Sequence, residues 1–121
     1  MAQPLAGKRI LVVEDEYFIA SDLKRALAAA GAEVAGPTGD AARGLGLATG
    51  GVDGAVLDVN LDGADSYSIA DALAQRAVPY MFLTGYDGWA LPERHRTALR
   101  VTKPFHMDMV IDEVVRLVTA R

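Results

Sequence analysis

Short apolar runs alternate five times with stretches of helical periodicity, and this alternation restricts the fold more than any other feature of the chain. The first run, at residues 10–13, is continuous and β-branched, which is typical of a strand covered on both faces. Strands are predicted at residues 10–13, 33–36, 54–59, 79–83 and 99–102. Because the connections are short, we expect parallel strands with right-handed crossovers. The sequence therefore predicts an α/β fold with a doubly wound, five-stranded parallel sheet of the (βα)5, flavodoxin-like type.

The first three helical segments have recognisable ends. Apolar residues recur at three- and four-residue steps over residues 17–30, Phe18 among them, and Gly31 is expected to stop this helix. Asp40 is the predicted N-cap of a helix that ends near residue 48. Ser66 is the predicted N-cap of a helix that ends near residue 76.

The remaining segments contain polar residues and a helix breaker. Residues 37–39 are predicted to form a turn and residues 60–65 a polar loop. Pro92 interrupts the segment between the fourth and fifth strands, so the fourth helix is expected to be short or broken. A final amphipathic helix is predicted at residues 107–120.

Length and composition indicate one globular domain, predicted at residues 1–121, because domains average about 150 residues. Hydrophobic residues make up 51% of the chain and charged residues 23%, which argues against intrinsic disorder. The sequence has no cysteine, so disulfides, thiolate metal ligands and cysteine nucleophiles are excluded.

The charge distribution limits the class of partner. Twelve Lys and Arg against sixteen Asp and Glu leave a net charge of −4, so we expect no direct binding to nucleic acid. No apolar stretch reaches the roughly 18 residues that span a membrane, and the N-terminus lacks the apolar core of a signal peptide. A cytoplasmic, soluble protein without a membrane partner is expected.

Polar residues follow four of the predicted strands. Glu14 and Asp15 follow the first strand, and Asp58 ends the third. Thr84 follows the fourth strand and Lys103 the fifth. Each of them alone is more simply a solvated loop residue. Because the carboxyl ends of parallel strands meet at one edge of a sheet, their joint placement favours a common site.

The expected site combines acids with a cation. Three carboxylates at one place repel one another and require neutralisation. Oxygen ligands without Cys or His favour Mg²⁺ over zinc or copper, and Mg²⁺ commonly completes its shell with phosphate oxygens. The three acids, Lys103 and one divalent ion together carry no net charge. Such a site suits a phosphoryl group, which Asp58 could accept covalently.

Four motifs, in order, resemble the CheY-like receiver domain of bacterial two-component response regulators. They are ILVVEDE at residues 10–16, VLDVNL at 56–61, FLTG at 82–85 and KPF at 103–105. The resemblance extends over residues 9–120. It implies a signalling domain and not an enzyme, with self-phosphorylation and slow autodephosphorylation as its chemistry.

The resemblance implies a phosphoacceptor and a metal site. Asp58 would take a phosphoryl group from a phosphohistidine on a sensor histidine kinase or a histidine phosphotransferase. Asp15, Asp58 and the backbone carbonyl of Asn60 would bind Mg²⁺ directly. Glu14 would bind it through a water molecule.

The resemblance also implies a switch. Thr84 and Lys103 would bind phosphoryl oxygens, and the peptide bond before Pro104 would be cis. The Thr84 hydroxyl would move towards the phosphorylated aspartate and change the contacts with an unknown downstream protein. Receivers usually have an aromatic residue three positions before the site lysine; this chain has Arg100 there, and Tyr86 is the predicted substitute.

The region after the fourth strand is similar to the FATGUY subclass of receivers. Members of that subclass are often stand-alone domains partnered with histidine kinases of the HWE or related groups, and a monomer or weak dimer is expected here. Trp89 lies in the predicted switch segment and could face a partner or pack over strand four. His95 and His106 have no second ligand at useful spacing and are not expected to bind metal.

Three other functions stay open. A Mg²⁺-dependent phosphatase with an aspartyl nucleophile would use a similar fold, but it needs an Asp where this chain has Asn60. A flavodoxin-like cofactor binder would need a phosphate loop after the first strand, where acids stand instead. A pseudo-receiver would bind partners without being phosphorylated.

Overall fold

The computed structural model describes residues 3–61, 63–85 and 91–119, and it contains the predicted parallel sheet. In chain order the strands are β1 (Arg9–Val13), β2 (Glu33–Thr38), β3 (Gly54–Asp58), β4 (Asn60–Leu61), β5 (Ala64–Asp65), β6 (Tyr80–Thr84) and β7 (Leu99–Thr102). Five of them form one parallel sheet in the order β2-β1-β3-β6-β7. Because β2 and β3 lie on opposite sides of β1, the predicted doubly wound topology is confirmed.

Helices cover both faces of the sheet. They are α1 (Tyr17–Ala29), α2 (Ala41–Ala48), α3 (Tyr67–Gln75) and α4 (Met107–Thr119). Ile10 and Val12 of β1 pack in the layer with α1 and α4, whereas Leu11 and Val13 pack in the layer with α2 and α3. All four are fully buried, which explains the continuous apolar run. In the described part of the chain, no helix is long and apolar enough to cross a membrane.

Two predicted helix ends are confirmed. α1 ends just before Gly31, whose φ of +101° lies in the left-handed region that favours glycine. The Asp40 carboxylate accepts a hydrogen bond of 2.8 Å from the backbone N–H of Arg43 and caps α2.

The predicted cap of α3 is confirmed in its position, since Ser66 precedes the first residue of the helix, but not in its hydrogen bond. The Ser66 side chain makes no capping hydrogen bond, and the Asp65 carboxylate instead accepts from the N–H of Tyr67 at 3.0 Å. Ser66 is fully buried, and its own N–H donates to the carbonyl of Val59 at 3.2 Å. The polar loop predicted before α3 contains the antiparallel pair β4 and β5, which brings Asp65 to this position.

The turn predicted directly before α2 is wrong in part, because β2 continues through Thr38. Leu11 pairs with Ala35 and Val13 with Thr38, so β2 contains one extra residue over this interval. Gly36, with a φ of +95°, lies in this bulge. A bulge in an edge strand accommodates the proline that follows, which has no N–H to donate.

Between β6 and β7 the described residues form no α-helix. They contain one 3₁₀ turn, Glu93–His95, directly after Pro92. This agrees with the short or broken fourth helix that the sequence predicts.

The placement of Phe18 in the apolar face of α1 is wrong. The helix buries Ala20, Leu23 and Leu27, whereas Phe18 is 75% exposed. A helix turns about 100° per residue, so Phe18 lies about 140° around the axis from Leu23 and faces solvent.

Candidate functional site

The carboxyl ends of β1 and β3 bring three acids together. Glu14 and Asp15 directly follow β1, and Asp58 is the last residue of the neighbouring β3. One carboxylate oxygen from each lies within 4.8 Å of the others. Glu14 and Asp58 are buried, whereas Asp15 is exposed. The group is therefore partly enclosed and open to solvent at Asp15.

Backbone hydrogen bonds orient this group. The N–H of Glu14 donates to the carbonyl of Thr38 in β2 at 2.9 Å, and the Glu14 carboxylate accepts from the N–H of Glu16 at 3.1 Å. Asp58 Oδ1 accepts from the N–H of Asn60 at 3.3 Å. Asn60 is exposed at the start of β4. Both buried carboxylates are thus held by the backbone of their own loops.

Lys103 lies beside the two buried acids. Its Nζ is 3.0 Å from Glu14 Oε1 and 3.4 Å from Asp58 Oδ2. The peptide bond between Lys103 and Pro104 is cis, as the resemblance implies. Among the described residues, one ammonium group therefore contacts this group of three carboxylates, and when all three acids are ionised their charge exceeds that of the ammonium by two.

This excess charge changes proton affinities. Burial and, next, the neighbouring Glu14 carboxylate together raise the pKa of Asp58 to about 7, against the smaller opposing effect of the Lys103 ammonium. Burial lowers the pKa of Lys103, but the two nearby carboxylates outweigh burial and the net shift is upward. Without a metal, Asp58 therefore retains a proton in part of the molecules at neutral pH. A divalent cation would compete with that proton.

Thr84 lies at the same edge of the sheet. It is the last residue of β6 and is buried. The strand register pairs Asp58 with Leu83, so Thr84 extends one residue beyond that pair. Its carbonyl accepts a hydrogen bond of 2.8 Å from the N–H of Lys103, which joins the ends of β6 and β7.

The residues predicted to couple to Thr84 are placed only in part. Arg100 is exposed in β7, and its guanidinium donates to the carbonyl of Arg96 at 2.9 Å. Tyr86 and Trp89 lie outside the described residues.

The donor set of the acids fits Mg²⁺. In the parts of the chain that the structure describes, the only cluster that could hold a metal is Glu14, Asp15 and Asp58, with carboxylate oxygens alone. Mg²⁺ prefers such hard oxygen ligands, and the two uncompensated charges match its own.

Two aromatic side chains beside the acids were not predicted as functional. Tyr17 and Phe18, at the start of α1, are each 75% exposed, and their rings meet edge to face with centroids 5.5 Å apart. Tyr17 also lines a groove together with Glu14 and Asp15. The signal in the sequence is the adjacency of two large aromatic residues directly after the acids, since neighbouring side chains lie about 100° apart around a helix and cover a wide arc of its surface.

The structure gives His95 a packing role. It is buried, with Nδ1 3.0 Å from the hydroxyl of Tyr80 and Nε2 2.9 Å from Asp71 Oδ1. Arg94 donates to both carboxylate oxygens of Asp71, at 2.9 and 3.1 Å. These contacts fix the 3₁₀ turn to β6 and α3.

Comparison with known proteins places this geometry among relatives. No protein-family model matches the chain. The transcriptional regulatory protein PdtaR of Mycobacterium tuberculosis is 31% identical over 118 residues, which cover 93% of this chain and 58% of PdtaR. The chain thus spans less than two thirds of the length of this curated relative.

Two solved structures match over nearly their whole length. SdrG from Sphingomonas melonis Fr1 has a TM-score of 0.79 and 36% identity, covering 96% of this chain and 98% of SdrG. The response regulator protein TrrA from Thermotoga maritima, solved in complex with Mg(2+)-BeF, has a TM-score of 0.77 and 27% identity. That match covers 91% of this chain and 98% of TrrA.

Proposed function

This chain belongs to the CheY-like receiver domains of two-component response regulators, and from that premise we propose that Mg²⁺-dependent phosphorylation of Asp58 switches it. Its donor is a phosphohistidine on a sensor histidine kinase or a histidine phosphotransferase. Residues 1–121 act as one receiver domain in the cytoplasm. The output is a change in contacts with a downstream protein and not with nucleic acid.

The position of Asp58 carries this proposal. Its Oδ2 lies 3.4 Å from Nζ of Lys103, at a sheet edge shared with Glu14 and Asp15. A purely structural ion pair has no need of two further carboxylates, because their repulsion destabilises the fold. The excess charge is understandable if the site binds a cation and a phosphoryl group.

The acids would hold the metal. Asp15, Asp58 and the backbone carbonyl of Asn60 would ligate Mg²⁺, and Glu14 would contact it through a water molecule. When bound, the ion supplies positive charge to the phosphoryl oxygens during transfer. The raised pKa of Asp58 implies that loading of the site releases its proton.

Transfer then requires the ionised form of Asp58. A carboxylate oxygen forms a bond to phosphorus while the bond from phosphorus to the donor imidazole nitrogen breaks, and that electron pair stays on the nitrogen. The Lys103 ammonium, already beside Asp58, stabilises the negative phosphoryl oxygens. Attack by water on the resulting acyl phosphate releases phosphate and restores the carboxylate.

The switch follows from the end of β6. The hydroxyl of Thr84 would bind a phosphoryl oxygen, and a shift of Thr84 would reach β7 through the hydrogen bond between its carbonyl and Lys103. Arg100 lies exposed on β7, where a partner could sense that shift. In this proposal Tyr86 takes part in place of the usual aromatic residue.

A protein donor is supported by the surface beside the acids. Tyr17 and Phe18 expose most of their area at the start of α1, and Tyr17 lines a groove with Glu14 and Asp15. Exposed aromatic pairs are frequent anchors in protein interfaces. A small phosphodonor has no need of them, so they favour a macromolecular donor.

The proposal is tested by intact-protein mass after incubation with acetyl phosphate. We expect one phosphoryl adduct per chain with Mg²⁺, none with EDTA, and none on Asp58→Asn. Asp53→Asn is the matched control, because Asp53 precedes β3 at the opposite end and accepts from the N–H of Arg9. An adduct on Asp58→Asn would refute the assignment. No adduct on the wild type would indicate a pseudo-receiver, and many turnovers of a small phosphoester would indicate a phosphatase.

A further inference from the structure

Gly39 lies directly against Asp15. It belongs to the loop that joins β2 to α2, between Thr38 and the helix cap Asp40. A Cβ placed on Gly39 would be 2.8 Å from both Cα and Cβ of Asp15. Carbon atoms pack at about 3.5–4.0 Å, so a larger residue at position 39 requires one of the two backbones to move.

Space alone explains the glycine at this position. The φ of Gly39 lies outside the left-handed region, unlike that of Gly36 in the same connection. Gly39 is also exposed, so it does not complete the packing of the core. Its one close approach is to an acid of the proposed metal site.

The loop around Gly39 is fixed on both sides. The carbonyl of Thr38 accepts from the N–H of Glu14 at 2.9 Å, and Thr38 Oγ1 accepts from the N–H of Asp40 at 3.1 Å. Asp40 is in turn held by its bond to the N–H of Arg43. Because the loop is anchored, a side chain at position 39 would displace the exposed Asp15.

We propose that Gly39 is a positioning residue for the metal site. It leaves the space in which the backbone of Asp15 lies, so that the Asp15 carboxylate stays within reach of Glu14 and Asp58. This inference rests on the proposed function, since it presumes that the three acids bind Mg²⁺.

Isothermal titration with Mg²⁺ tests the inference on the full chain. For Gly39→Ala we expect affinity weaker by about tenfold or more, as when a group supporting a metal ligand is lost. Gly44→Ala is the matched control, because its Cβ would also lie 2.8 Å from a neighbour, but that neighbour is Cδ1 of Ile69 in the core. Gly44→Ala should leave Mg²⁺ affinity unchanged. Saturating Mg²⁺ should restore the phosphoryl adduct of Gly39→Ala.

A double-mutant cycle shows whether the effect passes through Asp15. In an Asp15→Asn background, Gly39→Ala should cause little further loss of Mg²⁺ affinity. A further loss as large as in the wild-type background would overturn the inference. So would an unchanged affinity in folded Gly39→Ala.

Two additional measurements cover the remaining outcomes. If Gly39→Ala does not fold, Thr38→Val decides, because it removes the acceptor of the Asp40 N–H and loosens the loop without added bulk. A severalfold loss of Mg²⁺ affinity supports the inference, and an unchanged affinity overturns it. Wild-type protein that binds no Mg²⁺ would contradict the proposed function itself, whatever Gly39→Ala does.

Discussion

Two polar clusters lie at opposite ends of β6, and their charges are balanced differently. The acidic cluster, beside its carboxyl end, consists of Glu14, Asp15, Asp58 and Lys103. The histidine cluster, at its amino end, consists of Asp71, Tyr80, Arg94 and His95. In the acidic cluster one ammonium contacts two of three carboxylates. In the histidine cluster one carboxylate accepts two hydrogen bonds from a guanidinium and also contacts an imidazole.

The difference separates a structural cluster from the cluster proposed as the metal site. The histidine cluster is packed among aromatic rings, with Tyr67 stacked on His95 at a centroid distance of 5.7 Å. Its partners are all supplied by the protein, so it stabilises the fold without a ligand. In the acidic cluster the Lys103 ammonium balances only part of the negative charge, and a proton or a further cation would relieve the remaining repulsion. A buried polar group whose charges are unbalanced in this way indicates a site for a ligand.

The largest expected effect is on the histidine cluster. His95→Ala removes a buried ring that contacts Tyr67, Tyr80 and Phe82, and it leaves the Tyr80 hydroxyl without this partner. We expect the free energy of unfolding to fall by about 3–5 kcal/mol, with Mg²⁺ affinity unchanged. Urea titration measures the first and calorimetry the second. His106→Ala is the control, because His106 is exposed, and it should change neither quantity. A loss of unfolding free energy below about 1 kcal/mol for His95→Ala would contradict a stabilising role of His95.

The next effect is on pH dependence without metal. The pKa of Asp58 is about 7 in the folded protein and near 4 when unfolded, so the folded state binds this proton more tightly. The free energy of unfolding should therefore fall as pH rises from about 4 to 7, by on the order of 3 kcal/mol, and stay low above 7. Urea titrations in EDTA at pH 5 and pH 8 measure it.

At lower pH, Asp71 makes the free energy of unfolding change with pH in the opposite direction. Its hydrogen bonds with Arg94 hold the pKa of Asp71 below its ordinary value, so its contribution is present above about pH 4 and is lost as pH falls below that. Saturating Mg²⁺ should abolish the decrease in the free energy of unfolding between about pH 4 and pH 7, which comes from Asp58. It should not change the decrease below about pH 4, which comes from Asp71. A fall of the same size in Asp58→Asn would show that another group causes it.

A smaller effect is expected from Asp71→Asn. The substitution removes the charge that faces Arg94 and His95, but the Asp71 side chain is 37% exposed and water partly compensates. We expect destabilisation of about 1–2 kcal/mol at pH 7, reduced by high salt. Thermal unfolding at two salt concentrations measures it. A variant more stable than the wild type would show that the charges of the histidine cluster are not balanced, unlike the description given above.

The fold was predictable where the signal is local or periodic. The run at Ile10–Val13 predicts a doubly covered strand because each of its residues is apolar, and Gly31 and Asp40 mark helix ends through backbone geometry and capping chemistry. The acids at the ends of β1 and β3 could be placed together because parallel strands share a carboxyl edge.

The remainder depends on distant contacts. The bulge that carries β2 through Thr38 depends on pairing with β1, which the local sequence does not encode. His95 meets Asp71, 24 positions earlier, only after α3 and the 3₁₀ turn have packed together. The close approach of Gly39 to Asp15 likewise joins two loops that are separate in sequence.

The most direct test compares the free energies of unfolding of the wild type and Asp58→Asn at pH 8, in EDTA and in saturating Mg²⁺. In EDTA we expect Asp58→Asn to be more stable than the wild type, by on the order of 2 kcal/mol, because one of the repelling charges is gone. In Mg²⁺ the wild type should gain stability through binding, and Asp58→Asn should gain far less. Destabilisation by Asp58→Asn in EDTA, or an equal gain from Mg²⁺ in both proteins, would contradict an acidic cluster that requires a cation.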